Sequence, residues 1–241
     1  MLYKTRGIVI HNIKYSETSV IVKIYTELFG LKSYILRGVR KKRSKIKSNI
    51  LQPLTLVELD VYNKEKSDIQ QLREIRNIHQ FESLPFVIQK SSITLFIAEL
   101  LYKSIREEEK NQNLFEFVFN SIKFLDASED RITDFHLLFS LQLTRYLGFF
   151  PQGKYSSQKT FFDLEEGMFI ANPPRHPYFL ENPLSEKFYQ LLVSPYENLD
   201  ILKISNESRK QILDKIIQYY KLQLPGIKDI KSHLVLAEVL S

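Results

Sequence analysis

The chain of 241 residues contains no cysteine. That absence excludes a disulfide framework, a thiol nucleophile, an iron–sulfur cluster and any zinc site built on thiolates. It is compatible with a reducing compartment such as the cytoplasm. Glycine is scarce as well. The seven glycines are scattered and form neither a Gly-x-x-x-x-Gly-Lys-[Ser/Thr] phosphate loop nor a Gly-x-Gly-x-x-Gly dinucleotide turn. Long hydrophobic runs are missing: no stretch approaches the roughly 20 apolar residues of a membrane helix, and Leu95–Leu101 is interrupted by Glu99. The start, Met1-Leu2-Tyr3-Lys4-Thr5-Arg6, has no apolar core before a small-residue cleavage site, which argues against a secretory signal. The five histidines (His11, His79, His136, His176, His233) have no helical i, i+4 partner for a metal. His136, in an apolar helix, reads as a satisfied core residue, and His176, in Pro174-Arg175-His176-Pro177, as loop punctuation. Glu165-Glu166 and Glu107-Glu108-Glu109 read as solvated helix ends and loops rather than acid–base machinery.

What is present is enough apolar material for a core, 44% of the chain, and an uneven charge. The net charge of +6 says little as a total. Residues 1–80 carry 16 basic and 7 acidic side chains, a balance of +9, whereas residues 81–241 carry 18 and 21, a balance of −3. From Arg37 to Lys47 there are seven positive residues and no acid. Such a run must face solvent, because burying it unpaired is prohibitive. Its like charges repel unless something anionic compensates, which points to a polyanion. The alternative is a solvated lysine-rich loop that binds nothing.

Hydrophobic periodicity divides the chain. Val20, Val22 and Ile24 alternate with polar or outward positions, as do Val57, Leu59 and Val61 with Glu58 and Asp60, the period of half-buried strands. Arg6–His11 and Leu31–Arg37 are short β-prone runs, and Ser16-Glu17-Thr18 and Phe29-Gly30 are turns. Ile69, Leu72, Ile75 and Ile78, spaced by three, are read as a final strand carrying a bulge. Five short strands at hairpin spacing suggest a small closed β-barrel. After Pro85 the period becomes helical: Ile93, Phe96, Ile97, Leu100 and Leu101 mark one helix, and Leu114, Phe117, Val118, Ile122 and Leu125 a second. Asp134 to Phe150 is apolar nearly all round and reads as a buried central helix. Leu213, Ile216, Ile217 and Tyr220 mark a fourth, stopped by Pro225-Gly226, and a short last helix spans His233 to Leu240. The proline- and glycine-bearing stretch 151–183 is an irregular excursion with a small hairpin. The expectation is an α+β chain with a barrel domain over 1–80 and a helical domain over 81–241, the boundary falling near Gln80–Pro85.

A small barrel with a basic loop and interleaved aromatics has the chemistry for tracking a nucleic-acid backbone: cations neutralise phosphates and aromatic faces stack on bases. Candidate stacking residues are Tyr15, Tyr25, Phe29 and Tyr34, although any single one of them is better read as a core or barrel-face aromatic. No base-reading constellation is visible, so binding with little sequence specificity is expected.

Several ordered motifs resemble the DNA repair protein RecO family. They are Gly7-Ile8-Val9-Ile10, Tyr15-Ser16-Glu17-Thr18-Ser19, Tyr25-Thr26-Glu27-Leu28-Phe29-Gly30-Leu31, Arg37-Gly38-Val39-Arg40, Leu51-Gln52-Pro53-Leu54, Leu147-Gly148-Phe149-Phe150-Pro151 and Ile230-Lys231-Ser232. The match is dense over residues 1–55 and thin beyond, but its order spans the chain. The resemblance implies an N-terminal five-stranded OB-fold barrel followed by an all-helical domain, in a bacterial cytoplasmic protein that associates with the nucleoid during repair. It implies a non-enzymatic mediator without cofactor that binds single- and double-stranded DNA and anneals complementary strands. Such a mediator works with RecR and helps RecA replace single-strand-binding protein, whose acidic C-terminal tail it binds. Carried onto this chain, the DNA contacts are Arg37, Arg40, Lys41, Lys42, Arg43, Lys45 and Lys47, with Arg6, Lys14 and Lys32 as weaker candidates. Arg131 or Arg145 would rim a pocket for the tail. Many members carry a four-cysteine zinc site after the Leu-Gly-aromatic-x-Pro motif. Here that region is Gln152-Gly153-Lys154-Tyr155-Ser156-Ser157, so a thiolate zinc is impossible. Phe161, Phe162, Met168 and Phe169 are expected to close the excursion by apolar packing instead. An RNA- or protein-binding OB scaffold, and more remotely a hydrolase using His176 or His136, stay open as alternatives.

Overall fold

A computed structural model describes residues 1–39, 48–64, 67–106, 110–129, 132–196 and 202–240. Packing divides it into two compact units: Met1–Pro85 with Ile105–Asp126, and Phe86–Ser104 with Ala127–Ser241.

The first unit is a closed five-stranded barrel, built from β1 (Leu2–Lys14), β2 (Val20–Thr26), β3 (Gly30–Leu36), β4 (Leu56–Tyr62) and β5 (Ile69–Asn77). The strand order is β1-β2-β3-β5-β4, with β4 pairing back to β1. All pairings are antiparallel except β3 with β5, which closes the barrel in parallel. This is the OB topology. Alternation puts Val20, Val22, Ile24, Tyr34, Leu36, Val57, Leu59 and Val61 inside, all buried. Gly30 takes φ +63, the left-handed backbone that the tight β2–β3 turn requires. The three-residue spacing in β5 has a simple cause: Glu74 faces Asp60 while Leu72 faces Val61, so Arg73 is an extra residue that bulges from the ladder. A second irregularity places Ile10 out of step between Val9 and His11.

Helix α2 (Gln112–Ala127) belongs to this unit. Asn111 caps its start, its Oδ1 accepting from Leu114 N–H at 3.0 Å. Phe115, Val118, Phe119, Ile122 and Leu125 are buried. At its far end Asp126 accepts the backbone N–H groups of Glu82, Ser83 and Leu84 and meets His79 Nε2 at 3.1 Å, which ties the segment leaving the barrel to α2. Burial pushes the Asp126 carboxyl up, but these backbone donors and His79 outweigh it, and its pKa lies below the usual value.

The second unit holds α1 (Ile88–Ser104), α3 (Phe135–Leu147), α4 (Leu184–Val193), α5 (Asn206–Gln223) and α6 (Ser232–Val239). Helix α3 is central, packing on α1, α4 and α5, and α1 also packs on α6. The helical pattern through Phe150 stops at Leu147, where Gly148 at φ +87 ends the helix. Helix α4 lies outside the sequence expectation, and α5 begins well before Leu213. The excursion is a small sheet, β7 (Met168–Ile170), β6 (Phe161–Asp163) and β8 (Phe179–Leu180), in that order. Its filling is partly as expected: Phe162 and Phe169 are fully buried, with Phe162 4.9 Å from Phe169 and 4.6 Å from Phe188 between ring centroids. Phe161 is only half-buried and Met168 is exposed, because alternation in these short strands turns them outward. His176 is more than punctuation. Its Nδ1 accepts from Tyr178 N–H and its Nε2 meets Asp163 and Glu165 at 3.3 and 3.4 Å. His136 is fully buried but not satisfied, since neither ring nitrogen makes a well-formed hydrogen bond. Burial, with Arg209 nearby, pulls its pKa down to about 3. Among the described residues no helix is long and apolar enough to cross a membrane, and no cluster of three or more acidic or histidine side chains could hold a metal.

Candidate nucleic-acid interface

One end of the barrel brings together two of the basic candidates, Lys14 and Arg37. Lys14 closes β1 opposite Val20, which opens β2, and Val20 faces Leu36 at the end of β3. The β1–β2 hairpin tip and the exit of β3 therefore lie side by side. At the tip, Tyr15 and Ser16 N–H both donate to Ser19 O, and Ser19 N–H donates to Ser16 Oγ at 3.1 Å. Lys14 is exposed, and Tyr15 is 61% exposed. Arg37 follows Leu36 directly. It is exposed and stands between two buried residues, Leu36 and Val39. Gly38 makes this possible at φ +74, turning the chain so that Val39 drops back into the core. The chain returns at a short 3-10 turn, Ser48–Leu51, where Ile50 and Leu51 are again core residues. Asn12 Nδ2 holds Leu51 O at 2.9 Å. Both ends of the basic stretch are thus anchored on this end of the barrel. Arg40, Lys41, Lys42, Arg43, Lys45 and Lys47 themselves lie outside the described residues, as does Arg131.

The remaining candidates sit elsewhere. Arg6 is engaged as a clamp within the first unit. Its Nε and Nη2 donate to the two oxygens of Glu27, both at 2.9 Å, and it also bonds Glu116 of α2. Its guanidinium lies 5.2 and 5.0 Å from the ring centroids of Phe115 and Phe119. The paired carboxylates hold Arg6 above its ordinary range, and Arg6 draws Glu27 down. Lys32 faces Ile24 four residues from the end of β3, on the core parity and away from the Arg37 end. Among the aromatics, Tyr34 is a core residue at 0% exposure, and burial raises its hydroxyl well above the usual value. Tyr25 is outward by parity but covered by α2, 6.1 Å from the Phe115 ring, at 1% exposure. Neither has a face to offer a base. Phe29 is half-buried edge-on to Tyr3. Only Tyr15 keeps an open ring. In the helical unit, Arg145 is exposed, its guanidinium 3.9 Å from the Phe150 ring centroid. A cavity of about 520 Å³ between α5 and α6 has Leu213 and Leu236 on its walls, but Glu207, Asp214 and Glu238 line it against Lys210 and the Asp134-bound Arg209.

A closed five-stranded barrel of OB topology followed by a helical unit defines an OB-fold protein. Comparison with known proteins narrows this. The family model "Recombination protein O N terminal" matches residues 1–81, and "Recombination protein O C terminal" matches residues 85–232. The chain is 35% identical over 239 residues to the DNA repair protein RecO of Azobacteroides pseudotrichonymphae, covering 99% of both chains. It is 34% identical over 241 residues to RecO of Phocaeicola vulgatus and 37% identical over 246 to RecO of Flavobacterium psychrophilum, with complete coverage of each. The chain belongs to the RecO family of DNA repair proteins.

Proposed function

We propose that this protein is a non-enzymatic recombination mediator. It binds single- and double-stranded DNA with little sequence preference and anneals complementary strands. With RecR as partner, it assists RecA loading on DNA coated with single-strand-binding protein. Nucleic-acid contact falls to residues 1–80 and partner contact to the helical part. The observation that carries this reading is Arg37, held outside between two core residues at the start of a seven-cation, acid-free run. Cations neutralise phosphates and release counterions, and neutralising two backbones at once lowers the repulsion between complementary strands. Base pairing then reads the sequence, so the protein needs no base-specific contacts. The acidic tail of single-strand-binding protein calls for an apolar pocket with a cationic rim. The three carboxylates at the α5–α6 cavity disfavour that place and leave exposed Arg145 as the better rim candidate.

The test is annealing of fluorescent complementary strands coated with single-strand-binding protein, beside a salt titration of single-strand affinity. Annealing lost on neutralising Arg37 to Lys47, with affinity falling steeply in salt, is the expected result. Salt-independent binding, or RNA preferred over DNA without annealing, overturns it in favour of an RNA- or protein-binding scaffold.

A further inference from the structure

The cavity between α5 and α6 carries features that DNA binding does not use. It lies within the helical unit and measures about 520 Å³, within the size range of small-molecule sites. Its floor is buried. Leu213, Leu236 and Leu240 supply aliphatic surface there, and His136 is wholly out of solvent, edge-on to Phe96 with ring centroids 6.0 Å apart. Neither ring nitrogen of His136 has a hydrogen-bond partner, and Nδ1 of His233, which also lines the cavity, is buried without one. A buried polar group left unpaired is destabilising, and one that persists calls for an explanation such as a bound partner. Arg209 is taken up elsewhere: it donates to Asp134, Asn206 and the carbonyl of Ile204. Burial, and then the charge of Arg209, keep His136 neutral. A neutral imidazole offers one donor and one acceptor. The mouth is different in kind. Glu207, Lys210 and Asp214 follow one face of α5 at i, i+3 and i+7, and α6 adds Glu238. All four are exposed, and three carboxylates against one ammonium leave the mouth negative.

We propose that this cavity binds a small organic cation, a hydroxylated amine that sets its ammonium among Glu207, Asp214 and Glu238 and its hydroxyl against His136. The occupant follows from the order of the groups, from mouth to floor. An anionic ligand meets the carboxylates first and is repelled. A lysine side chain from a partner protein enters ammonium first and carries that charge down towards Arg209. A wholly apolar ligand leaves His136 unpaired. An apolar body with a cation at one end and a hydroxyl at the other satisfies all three zones. The hydroxyl both donates and accepts, so it complements the imidazole in either tautomer. The inference is independent of the DNA-binding reading.

The experiment titrates four probes into the full chain by calorimetry. They are tyramine, phenethylamine (which lacks the hydroxyl), p-cresol (which lacks the ammonium) and p-hydroxyphenylacetate (which reverses the charge). Tyramine binds saturably, phenethylamine and p-cresol each bind about fivefold more weakly, and the anion binds weakest. His136→Leu removes the preference for tyramine over phenethylamine and leaves phenethylamine binding as before, a selective loss that misfolding would not produce. Glu207→Gln combined with Asp214→Asn removes the preference for tyramine over p-cresol. Both of those side chains are exposed, so the melting temperature stays close to that of the wild type. Ala237→Phe, which fills the cavity, abolishes tyramine binding. The proposal is overturned if tyramine shows no saturable binding at millimolar concentration. It is overturned equally if the anion binds more tightly than tyramine, or if the His136 and carboxylate variants bind all four probes like the wild type.

Discussion

Glu99 should be one of the larger single electrostatic contributors to the helical unit, and the structure says by how much. Helix α6 is only eight residues long and begins without a capping side chain of its own. The cap comes from α1: Glu99 Oε2 accepts the backbone N–H of Lys231 at 2.9 Å and of Ser232 at 2.7 Å, together with the Ser232 hydroxyl. Its other oxygen accepts from Lys103 Nζ, which also donates to Asp229 O. A carboxylate at a helix N-terminus satisfies orphan donors and meets the positive end of the helix dipole. Burial pushes the Glu99 pKa up, but Lys103, the Ser232 hydroxyl and the two backbone donors outweigh it and leave it at about 2. A fall from about 4.5 to about 2 corresponds to a ceiling of roughly 3 kcal/mol. The side chain is 21% exposed, and a glutamine would still accept one hydrogen bond, so Glu99→Gln should cost about 1–2 kcal/mol, or about 3–6 °C in melting temperature. Because the folded pKa is depressed, the stabilisation is complete above the ordinary carboxylate range and fades as the pH falls from about 5 towards 2. Thermal melts at pH 7 and pH 3, with amide exchange over Ser232–Val239, measure this. The gap between wild type and variant should shrink on acidification, and the α6 amides should exchange faster in the variant. A Gln variant that melts with the wild type at pH 7, or a gap independent of pH, refutes the cap.

Arg6→Met should destabilise the barrel unit by about 1–2 kcal/mol, through loss of a bidentate pair and of packing on Phe115 and Phe119. It should leave duplex affinity unchanged, which a melt and a binding titration on the same sample would show. Phe162→Ala should cost about 3–5 kcal/mol by opening a cavity among Phe169, Phe188 and Tyr219. Excess chelator should leave the wild-type melting temperature where it was, and a drop would mean that a metal supports the excursion. His136 takes up its proton readily in the unfolded chain but, at about 3, scarcely in the folded one, so it drains stability as the pH falls from about 6.5 to 3. Acid melts of His136→Leu should be flatter over that window, and an unchanged slope would show that His136 is not the group responsible.

The barrel was legible because period-two alternation is set locally by the pleat, and the core residues of β2 and β4 declare themselves in their own segments. Even the awkward spacing of Ile69, Leu72 and Ile75 carried its explanation, a bulge at Arg73. The fate of the aromatics was only half legible. Tyr34 shares the parity of Leu36 and Val22 and so belongs inside. Tyr25 shares the parity of Lys23 and Ile21 and should have been open; it is buried because Phe115, ninety positions later, covers it. The role of Arg6 was hidden for the same reason, since Glu116 arrives on that helix. Helix α4 was missed because its ten residues follow the proline-rich turn at 173–183 and carry a short pattern that Gln190 and Tyr189 dilute.

The excursion shows how an irregular segment can be closed by packing alone among the described residues. A thiolate zinc site would supply folding free energy through a few strong bonds that depend on metal supply and on deprotonated, reduced ligands. This chain, without cysteine, closes the excursion by many weak contacts: the Phe162–Phe169–Phe188 rings, Tyr219 reaching Phe149 O at 2.6 Å, and His176 between Asp163 and Glu165. Close-packed rings tolerate oxidation and chelation but not changes of volume. Gly167 shows how little room is left, since a Cβ there would come within 2.7 Å of the Tyr219 hydroxyl. Closure of the excursion therefore depends on shape, so substitutions of one or two carbon atoms in these rings should destabilise it.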